Sequence, residues 1–136
     1  MEINIYINCK KTDSKIKSAI DEYRKRLSPY CHLNLLCSKK APSFSPQKNT
    51  YHSVITSADR NAETISSEEY AALLNHMMAN GISKICYYIG YASEYPADMN
   101  FFSITVPQMS SQLTAVALSE QLYRAYTINN HITYHK

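Results

Sequence analysis

Apolar and polar residues alternate from the first residues of the chain. Ile3, Ile5 and Ile7 are separated by Asn4 and Tyr6, and this period of two predicts a strand over residues 2–8. From Asp13 the period lengthens. Ile16, Ile20, Tyr23 and Leu27 fall on one helical face, with Lys15, Lys17, Asp21, Arg24 and Lys25 largely away from it, and Ser28-Pro29 ends the helix. Residues 32–37 make a second strand on Leu33, Leu35 and Leu36. Residues 38–50 carry two prolines and little periodicity and read as a loop. A third strand over 51–57 centres on Val54 and Ile55, and residues 59–62 follow as a turn. Ser66 and Glu69 form a capping box at the start of a helix that buries Ala71, Leu74, Met77 and Met78 and stops at Gly81. Residues 84–89 are nearly continuously apolar, as in a central strand covered on both faces. A loop over 91–100, a strand over 102–106 and a helix over about 110–127, burying Leu113, Val116, Ala117 and Tyr123, complete the reading.

The order β-α-β-β-α-β-β-α predicts an α/β fold, a mostly parallel sheet with helices on both faces. Ligands in such sheets sit at the carboxyl ends of the strands. Here those ends are the turn after Ser57, the loop after Gly90 and the segment after Val106. At 136 residues, positions 1–136 are expected to form one domain. No run approaches the roughly 18 to 20 apolar residues of a membrane span. The start, Met1-Glu2-Ile3-Asn4-Ile5, lacks the basic and apolar segments of a signal peptide, so a cytoplasmic protein without a membrane partner is expected.

The net charge of +3 permits an anionic partner without specifying one. The positive charge concentrates in Lys10 to Lys17, Arg24 to Arg26 and Lys39-Lys40, and a solvated helix face explains it as well as RNA does. Twelve tyrosines stand against no tryptophan. Most are expected in half-buried sheet and helix positions, and exposed ones could stack on bases. The cysteines at 9, 31, 37 and 86 show no paired metal spacing and read as reduced packing residues; no metal site is expected.

The end of the chain is the most distinctive stretch. Glu120-Gln121-Leu122-Tyr123-Arg124-Ala125, then Asn129-Asn130-His131, then Tyr134-His135-Lys136, resembles the end of the RlmH family. Ile65-Ser66-Ser67-Glu68-Glu69-Tyr70-Ala71 is similar to that family's equivalent helix start, in the same order along the chain. These are SPOUT-class enzymes that use S-adenosylmethionine to methylate N3 of a pseudouridine in large-subunit ribosomal RNA. The resemblance implies a C-terminal trefoil knot, one of the few exceptions to unknotted folding. It implies a homodimer in which the tail of one subunit reaches the cofactor pocket of the other, and a partner that is ribosomal RNA on the assembled ribosome, not DNA. Residue by residue, it puts Ala58, Gly90, Ile104, Thr105, Val106, Pro107, Gln108 and Met109 along the cofactor. It gives Arg124 and His135 the catalytic roles, with Arg124, Tyr134, His135 and Lys136 on the RNA.

The chain also departs from the family. A further helix is usual where residues 38–50 stand. The Gly-Gly-x-x-Gly loop is reduced to Gly90-Tyr91-Ala92-Ser93-Glu94, the lysine and Pro-His of the next loop are unmatched over 104–111, and an arginine of the last helix falls at Ala115. Tyr91 and Glu94 put bulk and charge where backbone is expected to approach the ligand, so replacing both by glycine is expected to tighten cofactor binding. The alternative function is a diverged relative that binds RNA or ribosomes without methyl transfer. Glu120 and Arg124, at i and i+4, are also explained by a surface ion pair of a few tenths of a kcal/mol.

Overall fold

The computed structural model describes residues 1–43, 47–55, 63–91, 95, 101–103 and 110–133. The elements are β1 (Glu2–Ile7), α1 (Ser14–Leu27), β2 (His32–Cys37), β3 (Thr50–Ile55), β4 (Glu63–Thr64), α2 (Ser67–Ala79), β5 (Lys84–Ile89), β6 (Phe101–Ser103) and α3 (Ser111–Asn129). The sheet runs β2-β1-β5-β3-β6-β4, and every pairing in it is parallel. The two-residue strand β4 was not expected; two residues are too few for a periodicity to register. β6 covers 101–103, and the rest of the strand expected over 102–106 lies outside the described residues.

The strand registers explain how side chains divide between the two faces of the sheet. Ile3, Ile5 and Ile7 of β1 stand beside Ile85, Tyr87 and Ile89 of β5, and beyond them lie Leu33 of β2 and Ile55 of β3. On this face they form one core with Ile20 and Leu27 of α1, with Tyr70, Ala71, Leu74 and Met77 of α2, and with Ala115, Leu118, Leu122, Ala125 and Tyr126 of α3. All three described helices therefore cover one face, with α3 packed against both α1 and α2. The expectation of helices on both faces is corrected.

The second face carries Asn4, Tyr6, His52, Val54, Cys86 and Tyr88. Tyr6 stacks on Tyr88 with ring centroids 5.3 Å apart, and His52 Nδ1 lies 2.7 Å from the Tyr88 hydroxyl. Val54, Cys86, Tyr88 and Tyr91 make a separate buried cluster with Ala41 and Tyr95 against it. Its cover comes from the connection after β2. The hydroxyl of Tyr91 donates to the Ser38 carbonyl, and that of Tyr95 donates to the Pro42 carbonyl at 2.8 Å. The reason is geometric. A connection from the end of β2 to the start of β3 must pass β1 and β5 and run back along the strands, roughly 24 Å. The residues from 38 to 49 reach about 40 Å when extended but only about 18 Å when helical. The short segment thus cannot supply a helical layer, and tyrosines with a proline-containing strap replace one.

Local signals hold up well. Asp13 caps α1 by accepting from Lys15 N at 2.9 Å, and Ser110 caps α3 by accepting from Leu113 N at 3.2 Å. The capping box of α2 is complete: Glu69 N donates to Ser66 Oγ and Ser66 N donates to Glu69 Oε1, each at 3.1 Å. The Ser66 backbone N–H, and after it the Ser66 hydroxyl, hold the Glu69 carboxyl below its usual range. Ser66→Ala should lower stability by about 1 kcal/mol in denaturant titration, with fold and oligomeric state unchanged.

Two buried faces were misassigned. In α2, Met78 is exposed and Tyr70 is buried, its hydroxyl bonded to that of Tyr87. In α3, the buried residues are Ala115, Leu118, Ser119, Leu122, Ala125, Tyr126 and Thr127, while Leu113 is 46% exposed and Val116, Ala117 and Tyr123 are only half-buried. That helix is apolar almost all round, so its periodicity does not select a face. No described helix is long and apolar enough to cross a membrane.

Candidate functional site

The carboxyl ends of β1 and β5 meet the start of α3, as the sheet class predicts. Asn8 fastens the two strand ends together. Its backbone N–H donates to the Ile89 carbonyl at 3.0 Å, and its Nδ2 donates to the Gly90 carbonyl at 3.0 Å. Gly90 has φ of +90°, a conformation that L side chains rarely adopt. A Cβ there would also lie 2.8 Å from Asn8 Cβ and overlap Ser111 Oγ. Glycine is therefore required for close approach of helix α3 to the strand end.

Beside this junction lies a cleft of about 340 Å³ lined by Asn8, Cys9, Asp13, Ile16, Ser110, Ser111 and Gln112. Two helix starts border it. Gln112 ties them together, accepting from Asp13 N at 2.7 Å and donating through Nε2 to the Lys11 carbonyl at 3.4 Å. The cleft falls within the roughly 300–1,000 Å³ of small-molecule sites. Hydroxyls, amides and one carboxylate stand beside a short apolar wall of Ile16 and Cys9. That mixture can hold a small polar ligand: the partial positive charge of the helix starts suits an anionic group, and Asp13 suits a cation or a hydroxyl.

Tyr91 does not reach this cleft. It is fully buried in the cluster on the second face, under the strap at 38–42. The sequence reading of Tyr91 as bulk aimed at the ligand is corrected: its ring belongs to the core.

Arg124 lies on α3, away from this junction. Its Nε and Nη2 donate to Glu120 Oε1 at 3.1 and 2.7 Å, and both side chains are partly exposed. The spacing places Leu113, Ala117, Glu120 and Arg124 in one stripe on the helix, distinct from its buried face. Further along, Asn129 Nδ2 donates to the Ala71 carbonyl at 3.0 Å and fixes the end of α3 to α2. His131 then turns the chain with φ of +55°. Of the other residues implied by resemblance, Ala58, Ile104, Thr105, Val106, Pro107, Gln108 and Met109, together with Tyr134, His135 and Lys136, lie outside the described residues. So does Glu94. Ala115, where the family has an arginine, is buried against the sheet and faces neither cleft nor solvent. The residues that sequence reasoning missed are Asn8, Ser110, Ser111 and Gln112. Their signal was the two capping positions, which mark helix starts at the strand ends but do not bring them together. Among the described residues no three His, Cys, Asp or Glu side chains gather as a metal site.

The parallel sheet, with a glycine-ended central strand and the final helix packed on that end, is an α/β fold with its candidate site at the carboxyl ends of the strands. Residues 1–135 match the family described as predicted SPOUT methyltransferase, and the chain belongs to that family. Within it, the similar proteins are ones named ribosomal RNA large subunit methyltransferase H. The one from Clostridium botulinum Alaska E43 is 31% identical over 159 positions, covering all of both chains. That from Clostridium novyi NT is 33% identical over 162 positions, covering 98% of this chain and all of the relative. That from Clostridioides difficile 630 is 30% identical over 162 positions, covering all of both. The chain is thus a member of the RlmH family, shorter than these relatives.

Proposed function

We propose that this chain transfers the methyl group of S-adenosylmethionine to N3 of a pseudouridine in large-subunit ribosomal RNA, on the assembled ribosome in the cytoplasm. The observation that carries the reading is similarity along the full length to relatives named for methylating that RNA. The cleft against Gly90 supports it, being of suitable size and chemistry and at the expected end of the sheet.

The bound donor supplies an already activated methyl group, so the protein's main task is alignment. Asn8, Ser110 and Ser111, which line the cleft, and Gly90 beside them would hold the donor, and the family resemblance adds Ala58 and residues 104–109. Asn8 holds the Gly90 carbonyl and so fixes the backbone against which the donor rests. The acceptor nitrogen must lose a proton, and the resemblance of the tail offers His135 as the base. Arg124 is preorganised by Glu120 and would hold an RNA phosphate or the target base, and the resemblance gives Tyr134 and Lys136 to the RNA as well. A homodimer brings the tail of one subunit to the donor of the other. The exposed Leu113, on the same stripe of α3 as Arg124, supports that helix as part of the dimer face. The last segments are taken to form the trefoil knot of the family.

Calorimetric titration with S-adenosylmethionine and S-adenosylhomocysteine tests the donor site. Binding at micromolar affinity, roughly 8 kcal/mol, is expected for both. The unmatched glycine at Glu94 and the unmatched lysine and Pro-His of the next loop favour the second reading, a ribosome-binding module without transfer. That reading requires no binding up to millimolar ligand.

A further inference from the structure

Cys9 and Cys37 stand far apart in the sequence, yet their Sγ atoms lie 2.8 Å from each other. One carbonyl brings them together. Ile7 O accepts from both Cys9 N and Ser38 N, each at 3.0 Å, so the turn after β1 folds back onto the last residue of β2. Ile7 and Cys37 are also register partners in the parallel pair. Thr12 Oγ1 lies 2.6 Å from Cys37 Sγ and helps fix that side chain. The two thiols differ in access: Cys9 is buried and borders the cleft, and Cys37 is exposed. None of the four cysteines is in a disulfide, and only this pair among the described residues has sulfur against sulfur.

We propose that Cys9 and Cys37 form a redox modification site that takes low-molecular-weight disulfides of the glutathione class. The exposed Cys37 thiolate attacks one sulfur of the small disulfide. The S–S bond of that disulfide breaks, one small thiolate leaves and is protonated by solvent, and Cys37 carries a mixed disulfide. Cys9 then gives its proton to solvent and attacks the Cys37 sulfur, expelling the second small thiol. Two protein thiols are oxidised to one disulfide while one small disulfide is reduced to two thiols.

Geometry supports each step. A disulfide needs sulfurs about 2.05 Å apart, so small side-chain rotations close the gap, whereas Cys31 and Cys86 are buried elsewhere. Burial, together with the hydrogen bond and charge of Cys37, pushes the Cys9 thiol up to about 11, with the Thr12 hydroxyl and then Lys39 opposing. Capping Cys37 removes its two contributions, leaving Cys9 beside a sulfur it can attack without a bimolecular encounter. Cys9 borders the cleft proposed for the donor, but the thiol exchange does not depend on methyl transfer and is tested without donor or ribosomes.

The test is oxidised glutathione added to the reduced protein, followed by acid quench and intact mass. The wild type should lose the mass of two hydrogen atoms and keep no adduct. Tryptic peptides 1–10 and 27–39 should be joined, with fragmentation placing the bond on Cys37 and not Cys31. Cys31→Ser should behave as wild type. Cys9→Ser should instead accumulate a glutathione adduct on Cys37, at least about tenfold above the wild type. A wild type that holds the adduct as Cys9→Ser does, or whose mass does not change, would overturn the proposal.

Discussion

Tyr91→Ala should destabilise the protein by about 3–5 kcal/mol, the range for removing a fully buried aromatic. The ring is enclosed by Val54, Cys86 and Tyr88 and meets Tyr95 edge-on with centroids 6.2 Å apart. Its hydroxyl also holds the strap that covers the second face, through the Ser38 carbonyl. Removing it opens a cavity and releases that cover at once. Tyr91→Phe keeps the ring and loses the bond, so it should cost about 1–1.5 kcal/mol. Urea titration of the three proteins measures both. The result also decides between two views of this position. If Tyr91 merely crowded a ligand, truncation would leave stability unchanged and tighten donor binding. Buried as it is, truncation should cost stability and bring no gain in donor affinity.

Gly90→Ala should cost about 2–4 kcal/mol. A non-glycine residue at φ of +90° carries roughly 1–3 kcal/mol of backbone strain. A further 1–3 kcal/mol comes from overpacking against Asn8 and Ser111, reduced where Ser111 swings aside. The double variant Gly90→Ala, Ser111→Gly should recover part of the overpacking and none of the strain. Chemical denaturation checks this. A Gly90→Ala protein as stable as wild type would mean that the helix start does not press on the strand end as described.

Much of this fold was legible because its signals are local. Alternation in β1, the amphipathic face of α1, the Ser66–Glu69 box and the continuous apolar run of β5 each rest on neighbours in sequence, and each element lies where those patterns put it. The layer order was not legible. Which face a helix covers depends on strand order, and the placement of β5 between β1 and β3 is a long-range fact. The face of α3 was misread because Leu113, Val116 and Tyr123 are as apolar as Leu118, Leu122 and Tyr126. Resemblance implied Gly90 and Arg124 as site residues, but no pattern indicated that Asn8 and Ser111 would meet at Gly90. Tyr91 was misread because a position in a ligand loop does not reveal where its ring points.

Methyl transfer itself is measured with tritiated S-adenosylmethionine and ribosomes lacking the modification. The wild type should place about one methyl group per large subunit, mapped by mass spectrometry to N3 of a pseudouridine. Arg124→Ala should lower kcat/KM by about 10- to 100-fold, which is ~1.4–2.7 kcal/mol of transition-state stabilisation. Its cost in stability should be only the few tenths expected of an i,i+4 pair. Ribosomes left unlabelled by a protein that binds the donor would contradict the account and favour the module that binds without transfer.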